Sequence, residues 1–212
     1  MQLTKSVNEV SMNEKFFELP EEKRDKIING AVKCFAVLGY RKASTQDIAG
    51  EAGISKALIF HYFESKRELF RFAYRFCHER IVDNLKSFEY RQDEDIFSMM
   101  LRANMIKMEL FKAYPYLFKF AYRAYFEDDS DVQEIVKEIS RGEIVQTIPD
   151  VVEHMDRTKL REGVSPEQAL QLILWVSEGY LQNKLEQDAD PDSLLVGFNE
   201  WMDILRLCLY KA

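Results

Sequence analysis

The fold of this chain is decided by residues 44–70, which read STQDIAGEAGISKALIFHYFESKRELF. Ser44 and Ser65 each precede an acidic residue by three positions, which is the capping-box spacing that begins a helix. Ser55 lies between them and can cap another helix, and Gly53 supplies the left-handed residue that ends the helix before it. The stretch therefore predicts three capped helices, the first two of which are separated by a short turn. That is the layout of a helix-turn-helix.

An amphipathic helix precedes this stretch. Pro20 is followed by two glutamates, an arrangement typical of a first helical turn. Ile27, Ala31 and Phe35 then recur at helical spacing, and Gly39 is expected to end the helix. Together with the two helices of the helix-turn-helix, it would form a three-helix N-terminal domain.

The remaining sequence also predicts helices and shows no sustained strand alternation. Pro115, Pro149 and Pro166 mark helix boundaries, since proline is tolerated only in the first turn. We expect an all-α fold, with the later helices at about 94–113, 116–126, 130–148, 166–187 and 191–209.

Composition and charge limit the kinds of ligand that the chain is expected to bind. The chain has 212 residues and a net charge of −7, which by itself disfavours nucleic-acid binding. The charge is unevenly distributed, however: residues 1–75 hold 13 basic and 10 acidic residues, whereas residues 76–212 hold 16 and 26. The N-terminal part therefore remains compatible with phosphates. The acidic remainder disfavours highly anionic small molecules.

Several classes of protein are not expected. No apolar run approaches the roughly 20 residues of a membrane span, and the first residues do not resemble a signal peptide. Cys34, Cys77 and Cys208 have neither metal-site spacing nor disulfide-framework spacing, which fits a cytoplasmic protein. No P-loop, dinucleotide-binding or nucleophile-elbow motif is present, and no histidine belongs to a Glu-x-x-His pair. We expect that the protein is not an enzyme and that it binds neither a metal ion nor a cofactor.

Residues 23–70 resemble the N-terminal domain of TetR/AcrR-family transcriptional regulators. The resemblance spans four helical elements and includes Gly39-Tyr40, Ile48-Ala49, Ala52-Gly53-Ile54-Ser55 and His61-Tyr62-Phe63. It implies a homodimer that binds double-stranded operator DNA. It also implies a tail at 1–20, a DNA-binding domain at 21–68 and an effector-binding and dimerisation domain at 69–212.

The helix that begins at Lys56 is the candidate DNA-reading element. In a helix-turn-helix, the N-terminal side chains of the second helix contact base edges, and flanking groups bind phosphates. Family members commonly have tyrosine where this chain has Phe60, so Tyr62 is expected to take over that contact. The predicted DNA-binding residues are Ser44, Thr45, Ser55, Lys56, Ala57, His61, Tyr62 and Lys66. The three serines have an alternative role as helix caps alone.

The stretch 114–126, YPYLFKFAYRAYF, holds seven aromatic residues among thirteen. Aromatic residues and methionines commonly line adaptable apolar pockets, although they also form ordinary cores. Lys119 and Arg123 could orient a charged group of a ligand or simply be solvated. The predicted ligand-binding residues are Met105, Met108, Phe118, Tyr122, Trp175 and Glu178.

The last two helices are candidates for the dimer interface, as in a four-helix bundle about a two-fold axis. Their apolar faces could equally pack within one subunit. The residues concerned are Leu170, Ile173, Leu174, Ser177, Gly179 and Leu181 on one helix, and Leu194, Leu195, Phe198, Trp201, Met202, Leu205 and Leu209 on the other.

These features predict a ligand-responsive repressor that binds a palindromic operator as a dimer and is released by a lipophilic or aromatic small molecule. Two alternatives share the fold. One is a constitutive or architectural DNA-binding protein without an effector. The other is a helical small-molecule-binding protein without DNA activity, which would show no salt-dependent affinity for DNA.

Overall fold

The structure is a computed structural model that describes residues 14–140, 147–187 and 191–211. These ranges contain helices and no β-strand, so the predicted all-α fold is confirmed. The α-helices are α1 Glu21–Lys42, α2 Thr45–Ala52, α3 Lys56–Phe63, α4 Lys66–Lys86, α5 Ile96–Ala113, α6 Leu117–Tyr125, α7 Ser130–Ile139, α8 Thr147–His154, α9 Pro166–Glu186 and α10 Pro191–Leu209.

Capping serines set the starts of α2 and α3, as predicted. The Ser44 hydroxyl accepts a hydrogen bond from the Asp47 N–H at 3.1 Å, and the Asp47 carboxylate accepts one from the Ser44 N–H at 3.0 Å. The Ser55 hydroxyl accepts from the Leu58 N–H. Gly53 ends α2 in the left-handed region, with φ 67°. The resulting α2–turn–α3 arrangement is the predicted helix-turn-helix.

The DNA-binding helices depend on a close approach between α1 and α2 at Gly30. A Cβ added at Gly30 would lie 3.0 Å from the backbone nitrogen of Ala52 and 3.2 Å from its Cα. A backbone group cannot move aside as a flexible side chain can. The site therefore admits only glycine without a shift of the two helices.

Gly30→Ala is accordingly expected to destabilise the chain by about 1–3 kcal/mol, although alanine is ordinarily the better helix former. Gly50→Ala is the matched control, because a Cβ there meets nothing within 4 Å. It is expected to stabilise α2 by about 0.5–1 kcal/mol. Urea denaturation of both variants checks the pair, and equal stability would show that α1 and α2 do not approach so closely.

The chain forms two compact units. Unit 1 consists of the described parts of 1–79 and 114–140, and unit 2 consists of those of 80–113 and 141–212. This division differs from the predicted boundary after residue 68, because α6 and α7 pack with the N-terminal helices. The boundary between functional domains remains a prediction.

The core of unit 1 joins α1, α4 and α6 through aromatic rings. Phe35 stacks on Phe120 with ring centroids 5.8 Å apart, and meets Phe70 edge-to-face at 5.0 Å. Ion pairs link α4 to α7: Arg67 bonds to Glu134 at 2.8 Å, and the buried Arg71 bonds to Glu138. These contacts explain why α6 and α7 belong to the same unit as the helix-turn-helix.

The core of unit 2 is built from α5, α8, α9 and α10. Its members are mainly aliphatic residues and methionines spaced three or four positions apart, which places them on the inner face of each helix. They include Ile96, Met99, Val151, Met155, Leu170, Ile173, Phe198, Met202 and Leu205.

Some element boundaries differ from the predictions. The predicted tail includes a 3₁₀ turn, Glu14–Phe16, whose Phe16 is fully buried; residues 1–13 lie outside the described ranges. The main part of α1 ends at Gly39 as expected, with φ 77°, and only a short turn continues to Lys42. The helix predicted at 130–148 ends at Ile139, and Pro149 lies in the first turn of α8, where proline is tolerated.

Candidate nucleic-acid interface

Helix α3 has one buried and one exposed face. Ile59 and Phe63 are fully buried against the rest of unit 1. Lys56, Ala57 and His61 are exposed, and the first two stand in the first helical turn. A cation and a methyl group at the exposed N-terminal end of a helix can reach guanine acceptors, phosphates and thymine methyl groups. Geometry thus brings these three predicted residues together on one open surface.

Tyr62 is placed differently from this group. Its side chain is only 6% exposed, and its ring meets Phe16 edge-to-face at 5.7 Å. The sequence gives little sign of this packing, since Phe16 belongs to a segment without helical periodicity. The predicted DNA contact of Tyr62 therefore depends on the small exposed part of its side chain. Its neighbour Phe60, which cannot donate a hydrogen bond, is the exposed aromatic residue of α3.

The serine hydroxyls are used as caps. Ser44 Oγ accepts from Asp47 N–H and donates to the Asp47 carboxylate at 2.6 Å. These bonds lower the pKa of Asp47. The stabilisation that the cap provides is therefore complete above the ordinary pKa of aspartate, and it is lost as the pH falls through the lowered pKa. Ser55 Oγ accepts one bond, which leaves its proton for another acceptor. Thr45 stands in the first turn of α2, whose N–H groups attract phosphate.

Lys66 is half-buried at the start of α4. Its ammonium donates a hydrogen bond to the backbone oxygen of Tyr40 at 2.9 Å and lies 4.5 Å from the centroid of the Tyr40 ring. One of its three donors is therefore engaged in holding the end of α1. The other two are compatible with the predicted phosphate contact.

Two arginines support the end of α1 beneath this surface. Arg123 of α6 donates to the backbone oxygens of Ala36 and Val37 at 3.1 and 2.9 Å. Arg41 pairs with Asp129 at 3.0 Å. Arg123 was a candidate for orienting a ligand, and the structure gives it instead the role of a helix C-cap. Side chains distant in sequence thereby fix the loop that leads into α2.

The predicted ligand-binding residues are distributed over both units. Phe118 and Tyr122 lie half-buried in unit 1, whereas the other four lie in unit 2. Of those four, Met108 is half-buried, and Met105, Trp175 and Glu178 are exposed. The side chain of Trp175 is 64% exposed, which favours a surface contact over the lining of a closed cavity.

The apolar faces proposed for the dimer interface are largely buried inside the chain. Leu170, Ile173, Phe198 and Met202 belong to the core of unit 2, so they pack within one subunit. A different face of α9 and α10 is exposed and apolar. We call it the outer α9–α10 face, and it comprises Leu172, Trp175, Val196, Trp201, Ile204 and Leu207.

Two other kinds of site are absent from the described residues. No group of three or more histidine, cysteine, aspartate or glutamate residues is placed there to hold a metal ion. Nor does any described helix combine the length and apolarity required to cross a membrane.

Residues 27–72, from α1 to the start of α4, match the family model described as bacterial regulatory proteins, tetR family. This part of the chain is a tetR-family DNA-binding domain. The match covers every helix of the surface described above, and the chain is a DNA-binding transcriptional regulator.

Known tetR-family proteins and related structures extend the comparison beyond the DNA-binding helices. The chain is 26% identical to IcaR of Staphylococcus epidermidis, a negative transcriptional regulator of the biofilm operon icaADBC, over 71% of this chain and 78% of IcaR. A tetR-family regulator from Chloroflexus aurantiacus matches the structure with a TM-score of 0.66 and 20% identity, over 95% and 99% of the two chains. FadR of Bacillus subtilis, solved with stearoyl-CoA, matches with a TM-score of 0.59 and 18% identity, over 85% and 96%.

Proposed function

We propose that this tetR-family regulator is a repressor that binds a palindromic operator as a dimer and is released by a lipophilic small molecule. The observation that carries the proposal is the exposed N-terminal end of α3, where Lys56, Ala57 and His61 stand over the buried Ile59 and Phe63. The negative regulation performed by IcaR supports the direction of control.

Binding to DNA is supported by the kind of groups that surround α3. The first turn of α2 offers backbone N–H groups beside Thr45, and Lys66 offers two further ammonium donors. Phosphate contacts of this kind set the position of a protein on DNA, and the end of α3 would then contact bases. Ser55 is expected to donate its hydroxyl proton to a phosphate while it caps α3.

Dimer formation is supported by the outer α9–α10 face. Monomeric proteins rarely leave so many large apolar side chains exposed on adjacent helices. A two-fold axis through this face would bury Trp175 and Leu207 of both subunits. For the dimer to occupy a palindrome, its two α3 helices must lie about 34–36 Å apart.

The switch is proposed to act through α4, which continues without interruption from residues of unit 1 to residues of unit 2. An effector that binds unit 2 and favours another direction of α4 would alter the separation of the α3 helices. A coupling of about 1–3 kcal/mol would lower the operator affinity roughly 5–150-fold. The stearoyl-CoA complex of FadR shows that one protein of similar fold was solved with a lipophilic acyl compound.

A constitutive regulator of the same fold is the second candidate. It is favoured by the use of Phe120, from the aromatic stretch 114–126, in the core of unit 1 rather than in a pocket. Operator affinity that no lipophilic compound alters would select this candidate.

The experiment that tests DNA recognition is a fluorescence-anisotropy titration with the DNA upstream of the protein's own gene. Lys56→Ala combined with His61→Ala is expected to weaken DNA binding about 10–100-fold, because two side-chain contacts are lost in each half-site. The wild-type affinity should also fall steeply with salt, as phosphate contacts require.

Lys137→Ala, at an exposed position of α7, is the matched control and is expected to bind as the wild type does. Wild-type affinity in the double variant would refute α3 as the reading helix. An affinity independent of salt would refute DNA binding itself.

A further inference from the structure

Helix α5 carries a lysine within its apolar inner stripe. Ile96 and Met99 are fully buried, and Phe111 is nearly so. Lys107 lies eight residues after Met99 and four before Phe111, and α-helical geometry places residues at such spacings on one face. Lys107 is half-buried as a result.

The ammonium group of Lys107 has no partner among the residues that the structure describes: no hydrogen bond, ion pair or ring contact involves it. Burial lowers the pKa of Lys107, and no neighbouring charge opposes that effect. Lysines are rarely buried without a counter-charge, because removing an ammonium from water is costly.

Other cations of unit 2 differ from Lys107 in this respect. Arg102, five residues earlier on α5, bonds to Glu94 at 2.6 Å and to the backbone oxygen of Glu89 at 2.9 Å. Arg206 and Lys159 both pair with Asp95. The acidic surplus of the C-terminal sequence would readily supply a partner for Lys107, and its absence indicates a place kept for an external anion.

We propose that Lys107 binds the anionic group of the effector, and that the effector is a lipophilic carboxylate. The inference rests on the proposed ligand response and names the chemical class of the ligand. One unpaired ammonium matches a single negative charge, and the half-buried apolar residues Ile106, Met108 and Leu110 beside it suit a hydrocarbon or aromatic body. A carboxylate at Lys107 would form a charge-assisted hydrogen bond with a partly desolvated ammonium.

A carboxylate effector differs in charge from the ligands that the sequence favours. The acidic balance of residues 76–212 disfavours highly anionic effectors, and it still disfavours polyanions near this unit. The local environment of Lys107 nevertheless selects a monoanion over a cation. Half-buried Met108, the next residue, remains a predicted contact for the apolar body.

The test uses calorimetry with straight-chain carboxylates of six to twelve carbons and 4-butylbenzoate, each paired with the alcohol of the same skeleton. The wild type is expected to bind at least one carboxylate about 10–100-fold more tightly than its alcohol, as a hydrogen bond to a charged group implies. Lys107→Met should abolish this preference and raise the melting temperature of the free protein, because it removes a half-buried charge that has no partner among the described residues.

Lys112→Met, an exposed lysine on the same helix, is the matched control and should keep the preference. Lys107→Gln removes the charge but keeps a polar side chain, and it should also lose the preference. The inference is overturned if no carboxylate of the series is preferred, or if both Lys107 variants retain the preference.

The same samples are titrated with upstream DNA to separate the two proposals. A protein that binds DNA but shows no Lys107-dependent preference would contradict only the effector class. A protein that prefers carboxylates through Lys107 but lacks salt-dependent DNA affinity would contradict only the proposed repressor function.

Discussion

Replacement of Ile204 and Leu207 by glutamate is expected to convert the proposed dimer into monomers and to weaken operator binding about 1000-fold, the lower range of the difference between specific and non-specific binding. Both residues lie on the outer α9–α10 face, where their side chains are 50% and 75% exposed. Four glutamates meeting across a two-fold axis would repel one another and would replace apolar contacts. A monomer carries one α3 helix and loses the second half-site.

Sedimentation velocity measures the change in mass, and anisotropy measures the change in affinity. Gln133→Glu adds a charge at an exposed position of α7 and serves as the control, with both properties expected to match the wild type. A double variant that remains dimeric would show that the subunits associate through another surface.

Phe35→Ala is expected to destabilise the chain by about 3–5 kcal/mol, as truncation of a buried phenylalanine usually does. The Phe35 ring is 1% exposed and contacts Phe70 of α4 and Phe120 of α6. Its loss would leave a cavity where the three helices meet. Helix α1 would be held less firmly by α4 and α6. Because α2 packs on α1, the positions of α2 and α3 would also be less well fixed.

Val37→Ala is the matched control, because Val37 is on the same helix with nearly half of its side chain exposed. Its effect should stay within about 0.5 kcal/mol. Chemical denaturation compares the two variants. A Phe35→Ala protein as stable as Val37→Ala would mean that α6 does not complete the core of unit 1.

The helix-turn-helix could be predicted because its signals are local. Ser44, Gly53 and Ser55 act within a few residues of their own positions, and the structure places α2 and α3 where these residues indicate. The partition of α3 into buried Ile59 and exposed Lys56 also follows from helical periodicity alone.

The contribution of α6 could not be predicted, because it depends on contacts between residues more than eighty positions apart. The aromatic stretch 114–126 indicates a pocket and a core equally well. Only the folded chain shows Phe120 against Phe35 and Arg123 on the carbonyl oxygens at the end of α1. The burial of Phe16 could not be predicted either, because a single phenylalanine outside a periodic segment does not indicate a helix face.

The outer α9–α10 face, which we propose as the dimer interface, could not be predicted from the sequence either. Helix α10 has apolar residues around much of its circumference, and periodicity alone does not indicate which of them face solvent. Phe198 and Met202 pack inside unit 2, whereas Ile204 and Leu207 do not. Lys107 could have been noticed in the sequence as a cation at an inward position of α5, but its lack of a partner is visible only in the structure.

The most direct test of recognition by α3 is affinity cleavage of the upstream DNA from residue 57. Ala57→Cys is combined with Cys208→Ser and coupled to an iron chelate; Cys34 and Cys77 are buried and remain unlabelled. The expected result is strand cleavage at two positions about 10 base pairs apart, one in each half-site, and none in unrelated DNA of the same length. Binding without cleavage, or equal cleavage of unrelated DNA, would contradict the placement of α3 in the major groove.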